Sequence, residues 1–164
     1  MIKVAILTAS DKGARGERED KSAAIIRELV RRIGGEVIAY SIVPDEKEAI
    51  MARLKDFCDL AGADLVLTTG GTGFGPRDVT PEATLAVIER QVPGLPEAMR
   101  LAGLKATPQA MLSRAVAGIR GRSLIVNLPG SPKAVRENLE AILPALPHGI
   151  AILKGEAGEC GEER

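Results

Sequence analysis

Aromatic side chains are almost missing from this chain of 164 residues: two Phe, one Tyr and no Trp amount to 2%. Base-stacking platforms for single-stranded nucleic acid are built from such rings, and here they are scarce. Net charge is missing as well. Lys and Arg total 22, Asp and Glu total 22, and nothing draws the chain as a whole to nucleic acid or to an anionic membrane. Only two cysteines occur, Cys58 in a helical pattern and Cys160 in a polar tail, which is no disulfide framework and points to a reducing compartment. No apolar run approaches the roughly 18 residues of a membrane span. No basic stretch with a small-residue cleavage site frames the opening run Ile2 to Leu7 as a signal peptide. A cytoplasmic protein with neither nucleic-acid nor membrane partners is expected.

Several familiar catalytic signatures are also missing. Neither H-E-x-x-H nor a paired C-x-x-C occurs, which argues against zinc. No G-x-S-x-G elbow is present. The glycine-rich stretch Gly70 to Asp78 lacks the G-K-[ST] ending of a Walker A loop, and Gly71, Gly73 and Pro76 miss the G-x-G-x-x-G spacing. The single histidine, His148, receives no role.

What is present is a pattern of buried-strand runs alternating with segments of helical period. Val4 to Leu7 reads as a strand, and from Asp20 the stripe Ala23, Ile25, Ile26, Leu29, Val30 and Ile33 reads as a helix closed by Gly34-Gly35. Glu36 to Val43 is a second strand. Asp45 with Glu48 reads as an acidic capping box opening a helix that Gly62 stops. Leu65 to Thr68 is a third strand, and Thr80-Pro81 reads as an N-cap with proline at the first helical position. Pro93, Pro96 and Pro108 punctuate a less regular stretch with a short helix near Glu97 to Leu104. Ala115 to Ile119 and Ser123 to Leu128 flank Arg120-Gly121-Arg122 as a hairpin, and Pro132 starts a helix that Pro144 and Pro147 interrupt. Such alternation predicts an α/β domain with a mostly parallel sheet over residues 1–154, followed by an acidic, disordered tail over 155–164.

Ligands of open α/β sheets bind at the carboxyl ends of the strands. Here those ends read Ser10-Asp11-Lys12-Gly13, Pro44-Asp45, Gly70-Gly71-Thr72-Gly73-Phe74-Gly75-Pro76-Arg77-Asp78, and Pro129-Gly130-Ser131-Pro132-Lys133. Two are glycine loops feeding helix N-termini, where backbone N–H groups and the helix dipole hold anions. Lys12, Arg77 and Lys133 add positive charge; Asp11, Asp45 and Asp78 add carboxylates. The combination suggests a phosphorylated ligand with a divalent metal. Each element also has a plainer explanation. One glycine turn alone serves chain reversal, Asp45 reads first as a helix cap, and Asp78 could simply orient its loop. Cys58 fits a core position, and Arg27, Arg31 and Arg32 a solvated helix face. Four polar junctions along one sheet edge tip the balance to a site.

These residues carry a resemblance. Thr69-Gly70-Gly71-Thr72-Gly73 with Pro76-Arg77-Asp78-Val79-Thr80-Pro81-Glu82-Ala83-Thr84 is similar to one signature of molybdopterin-binding domains. Asn127-Leu128-Pro129-Gly130-Ser131-Pro132-Lys133-Ala134 resembles the second. Ser10-Asp11, Pro44-Asp45, Pro93-Gly94 with Glu97-Ala98-Met99-Arg100, and Leu112-Ser113-Arg114 follow in order over about Ile2 to Leu153. The resemblance, to the MogA/MoaB type of molybdenum-cofactor biosynthesis proteins, implies a three-layer α/β/α sandwich and a homotrimer. The activity it implies is magnesium- and ATP-dependent adenylylation of molybdopterin, with transient contacts to other enzymes of cofactor synthesis. By position, Asp45 and Asp78 match the aspartates tied to turnover and to magnesium. Ser10, Asp11, Gly70, Gly71, Thr72, Gly73, Arg77, Ser113, Pro129, Gly130, Ser131 and Lys133 match substrate- and nucleotide-binding positions. Alternatives within the resemblance are a paralogue that binds molybdopterin without adenylylating it and a structural trimerising module. The molybdate-inserting relative carries further domains, for which 164 residues leave no room.

Overall fold

The computed structural model of the chain describes residues 1–156. Its centre is a sheet of β1 (Ile2–Ala9), β2 (Gly35–Val43), β3 (Leu65–Thr69), β4 (Arg90–Gln91), β5 (Ala117–Arg120) and β6 (Ser123–Leu128), in the order β2-β1-β3-β6-β5-β4. β1 lies parallel to β2 and β3, and β3 parallel to β6. Only β5 runs against its neighbours β6 and β4. β3 and β6 are buried along their whole length and β1 from Val4 onward, as unbroken apolar runs require when both faces of a parallel sheet are covered. β2, at the edge, alternates between more and less exposed residues.

Among the described residues the helices are α1 (Asp11–Ala14), α2 (Lys21–Val30), α3 (Lys47–Lys55), α4 (Thr80–Val87), α5 (Gly94–Leu104), α6 (Pro132–Ile142) and α7 (Leu146–Leu153), and all but the short α1 supply buried residues to the two faces. On one face Val4, Ile6, Leu65, Leu67 and Val126 pack against Ile26 and Leu29 of α2, Met99 of α5, Leu139 of α6 and Ile150 of α7. On the other, Ala5, Leu7, Val66 and Ile125 pack against Ile50 and Leu54 of α3 and Ala83 and Val87 of α4. The result is the expected three-layer α/β/α sandwich. Between the layers, fully buried Asn127 donates to the hydroxyls of Thr68 (3.1 Å) and Thr84 (2.9 Å), tying β6, β3 and α4 together. No helix of the described residues is long and apolar enough to cross a membrane.

Most local signals act as read. The Asp20 carboxylate caps α2 by accepting the Ala23 N–H, and Gly34 closes the following 3-10 turn at φ 73°. Ser131 caps α6 through the Ala134 N–H, with Pro132 in the first turn. Two caps differ. α3 begins at Lys47 with Glu46 in the cap position and no side-chain cap bond, because the Asp45 carboxylate is bonded elsewhere. α4 begins with Thr80 itself after Val79, and the Thr80 hydroxyl is buried without a hydrogen-bond partner. The expected helix near Glu97 starts three residues earlier, at Gly94, and β4 pairs with β5 where no strand is expected.

At the C-terminal end, the Glu156 N–H donates to the Ala151 carbonyl (2.9 Å) and Lys154 pairs with Glu156 (3.4 Å), so the chain through Glu156 stays on the last helix. The rest of the expected tail, 157–164, and with it Cys160, lies outside the described residues. Cys58 is a free thiol, its pKa pushed up by burial.

Candidate functional site

The strand order reverses beside β1: the chain leaves β1 for α2 on one face, while β3 leads into α4 on the other. Loops that part in this way open a crevice at the sheet's carboxyl edge. A cleft of about 750 Å³ lies there. Its floor is made by the ends of β1 (Thr8, Ala9, Ser10), β2 (Ile42, Asp45) and β3 (Thr69, Gly70, Gly71), with Asp78 and Gly130 to Pro132 beside them. Arg18 to Ser22, leading into α2, form one wall.

The two glycine loops are held closely. Gly70 and Gly71 both take positive φ, 91° and 70°. A Cβ on Gly70 would stand 2.5 Å from the Ala9 carbonyl, and one on Gly71 2.3 Å from the Thr80 hydroxyl, so no other residue fits these positions without displacement. Gly130 is different. A Cβ there would meet only the Gly70 Cα, at 3.5 Å, and the residue faces the open cleft. The Gly130 carbonyl accepts from Ser22 (3.0 Å) and the Pro129 carbonyl from Thr69 (2.6 Å), which joins the second loop to α2 and β3.

The carboxylates form a linked set. Asp45 Oδ2 accepts the Asp11 N–H (2.9 Å), and Asp11 Oδ1 accepts the Asp45 N–H (3.0 Å), a reciprocal clasp between the ends of β1 and β2. Arg77 grips Asp11 through two bonds, Nε to Oδ2 (3.1 Å) and Nη2 to Oδ1 (2.9 Å). That grip, reinforced by the Asp45 amide, holds the Asp11 carboxyl below the usual carboxylate range. Burial pushes the Asp45 carboxyl upward, and the charges of Asp11 and Asp78 add to the rise against the opposing Asp11 amide. Asp78 Oδ2 accepts the Gly75 N–H (2.9 Å) and so closes its own loop.

A polar wall not foreseen from the sequence stands opposite. Asp20 accepts from Thr8 and from the Tyr40 hydroxyl on β2 as well as capping α2. Burial and the bond to Asp20 push the Tyr40 phenol up to about 12, so it remains a donor at any physiological pH. The sequence signal available was the charged run Arg18-Glu19-Asp20-Lys21 directly after a strand-end loop.

Of the expected site residues, Ser10, Asp45, Gly70, Gly71, Asp78, Gly130 and Ser131 meet in the cleft. Asp11 and Arg77 stand behind Asp45, engaged with each other. Thr72 and Gly73 lie further along the glycine loop, their carbonyls bonded to Arg114. Ser113 uses its hydroxyl on the Ala115 N–H, and Pro129 and Lys133 flank the second loop outside the lining. Ser10 and Ser131 also cap turns, through the Gly13 and Ala134 amides.

Among the described residues no three His, Cys, Asp or Glu side chains converge as a metal cluster. Magnesium does not need one; it is ordinarily held by one or two carboxylates, with water and substrate phosphate completing the shell. Asp45 and Asp78 both line the cleft, near enough for one charge to raise the other's pKa. Two carboxylates that repel each other beside anion-binding loops are a donor set that fits such a cation.

A doubly wound α/β domain with glycine loops and paired carboxylates at its switch point has the geometry in which such folds take phosphorylated ligands. This chain belongs to the family described as "Probable molybdopterin binding domain", whose model matches residues 5–148. It is 44% identical over 164 residues to a molybdopterin adenylyltransferase of Helicobacter pylori (strain J99), covering 99% of this chain and 93% of that protein. It is 44% identical over 163 residues to gephyrin of Dictyostelium discoideum, covering 93% of this chain and 23% of gephyrin. Among solved structures, the molybdopterin biosynthesis enzyme MoaB of Thermus thermophilus superposes with a TM-score of 0.91 at 55% identity, covering 97% of this chain and all of that one.

Proposed function

We propose that this chain is an enzyme of molybdenum-cofactor biosynthesis that adenylylates molybdopterin. The observation that carries the reading is Asp45 and Asp78 lining one cleft with two phosphate-cradling loops, in a chain 44% identical to a molybdopterin adenylyltransferase nearly end to end. A terminal phosphate oxygen of the pterin attacks the α-phosphorus of ATP; the new P–O bond forms as the bond to the β-phosphate breaks and pyrophosphate leaves. The attacking group belongs to the substrate, so no protein nucleophile is needed. Catalysis then consists of holding two anions in line and neutralising their charge. The backbone N–H groups of the Gly70 and Gly130 loops bind phosphate, and Asp45 and Asp78 would hold magnesium. When bound, that ion supplies charge neutralisation to the transferring phosphates. A cytoplasmic setting and transient contacts with neighbouring enzymes of the same synthesis belong to the reading.

Purified protein mixed with magnesium, ATP and molybdopterin should release pyrophosphate. Molybdopterin binding without pyrophosphate would mark a non-catalytic paralogue, and binding of neither substrate a structural module.

Gly130→Val tests the second cradle. A Cβ here makes only an ordinary contact and the residue lines the open cleft, so the melting temperature should hold, while the valine covers the amide edge a phosphate would approach. Molybdopterin affinity should fall about tenfold, the worth of one charge-assisted hydrogen bond. Unchanged affinity in a folded variant would reduce the loop to a turn.

A homotrimer completes the reading. Leu101 and Leu104 on α5, and Met111 and Leu112 in the 3-10 turn after it, are exposed apolar residues that an assembly would cover. Light scattering should give three times the chain mass at micromolar concentration; a monomer there would remove the trimer.

A further inference from the structure

Arg114 lies between the 3-10 turn Pro108–Leu112 and β5, and it does not line the cleft. It nevertheless holds the glycine loop at two points, Thr72-Gly73 near its start and Asp78 at its end. Its amide donates to the Thr72 carbonyl (2.9 Å) and its Nε to the Gly73 carbonyl (2.7 Å). Its Nη2 donates to the Asp78 carbonyl (2.8 Å), and its Nη1 to both oxygens of Glu82 in α4 (2.6 and 3.1 Å). A guanidinium is a rigid planar fork, so its three acceptors are fixed relative to one another. They are the start of the loop, the backbone of Asp78 and the first turn of the following helix.

The stretch between those points has few other ties. Phe74, Gly75, Pro76 and Arg77 are exposed. Their own bonds are the pair between Gly75 and Asp78 and the grip of Arg77 on Asp11. Together with the Thr80 N–H on the Gly71 carbonyl (3.1 Å), Arg114 ties the Asp78 backbone to the start of the loop.

We propose that Arg114 is a positioning residue for the transfer step, acting through Asp78 by fixing the backbone from which that carboxylate is aimed into the cleft. The inference rests on the adenylyl-transfer reading. Stability is a secondary effect, because the Arg114 and Glu82 side chains are 35% and 42% exposed, and an ion pair so exposed contributes little to folding.

The test is a double-mutant cycle of Arg114→Lys and Asp78→Asn, followed by pyrophosphate release and by hydrogen exchange. Lysine keeps the charge but offers one point of contact instead of a fork. Misplacing a catalytic group by about 1 Å costs up to roughly a hundredfold. Arg114→Lys should thus lower kcat on the order of ten- to a hundredfold with KM for both substrates little changed, and the Gly75 and Asp78 amides should exchange faster. With Asp78 already Asn, the same change should lower kcat far less, since the group it positions is gone. Should Arg114→Lys fail to fold, Glu82→Gln loosens the fork while sparing its bonds to Gly73 and Asp78, and its smaller kcat loss should likewise shrink once Asp78 is Asn. Losses that multiply in the double variant, or a normal kcat with faster loop exchange, overturn the inference while leaving adenylyl transfer intact. Wild-type protein that releases no pyrophosphate overturns the reading and the inference together.

Discussion

Asp78→Asn should slow adenylyl transfer about a hundredfold or more while the protein melts at its usual temperature and still binds molybdopterin. The substitution is nearly isosteric and removes only charge. Folding has little at stake in that charge. α4 begins at Thr80 with Val79 in the cap position, so Asp78 caps nothing, and an Asn side-chain oxygen can still accept the Gly75 N–H. The Asp78 carbonyl, which Arg114 holds, is backbone and survives the change. On the proposed reading phosphate is bound by the amides of the Gly70 and Gly130 loops, which are untouched. What disappears is a negative charge lining the cleft, one of the two available to hold a cation against the reacting phosphates. Removing one preorganised electrostatic group of this kind is worth about 3 to 4 kcal/mol in other enzymes, hence the size of the expected loss. Asp45 should respond too: the Asp78 charge helps to raise its pKa, so in the variant Asp45 should titrate lower, toward an ordinary aspartate. The measurements are turnover, pterin affinity and melting temperature on one preparation. Near-normal turnover would take Asp78 off the catalytic list; lost affinity with an intact fold would make it a binding residue.

The sheet edge was legible in the sequence because strand runs and glycine loops are local patterns. Each strand-end junction read from the chain does reach the carboxyl edge, and the cleft opens between them. Asp45 shows where local reading stops. Its spacing to Glu48 predicts a cap, yet its carboxylate bonds the amide of Asp11, 34 residues earlier. A long-range partner took the acceptor that a cap would have used, and nothing within a helical turn of Asp45 signals it. In the wall from Arg18 to Ser22 the sequence marks only Asp20, as the start of a helix, since Asp20 does cap α2 and its bonds to Thr8 and Tyr40 depend on how β1 and β2 pair. Arg114 was visible only as the last residue of Leu112-Ser113-Arg114; its acceptors are mostly backbone carbonyls, which carry no mark in a sequence. β4, with two residues, is too short for any period to show.

Gly70→Ala should lower the melting temperature on the order of 10 °C, although it adds a single methyl group. Gly70 sits where β3 ends, at φ 91°, with its N–H on the Leu128 carbonyl of β6 (3.3 Å). An alanine held in the left-handed region costs about 1–2 kcal/mol. Its Cβ would also stand 2.5 Å from the Ala9 carbonyl, well inside contact distance. Ala9 is the last residue of β1, paired with Val43 of β2, and it precedes Ser10 and the clasp of Asp11 with Asp45. It cannot retreat without moving those residues, so the overlap adds about 1–3 kcal/mol, as overpacking in a fixed core does. The sum is about 3 kcal/mol, and each 1 kcal/mol shifts the midpoint of a domain this size by roughly 2–4 °C. Turnover should suffer along with stability, because the displaced backbone carries Asp11, and through it Asp45, on one side and the glycine loop on the other. Gly130→Ala is the matched control: the same methyl group meets only the Gly70 Cα at 3.5 Å, an ordinary contact, and its φ is not positive. Its stability should stay within about 0.5 kcal/mol of wild type. Equal melting temperatures for the two variants would mean that the β1 and β3 ends are looser than their contacts require, and that the first cradle is shaped by its ligand instead of by the fold.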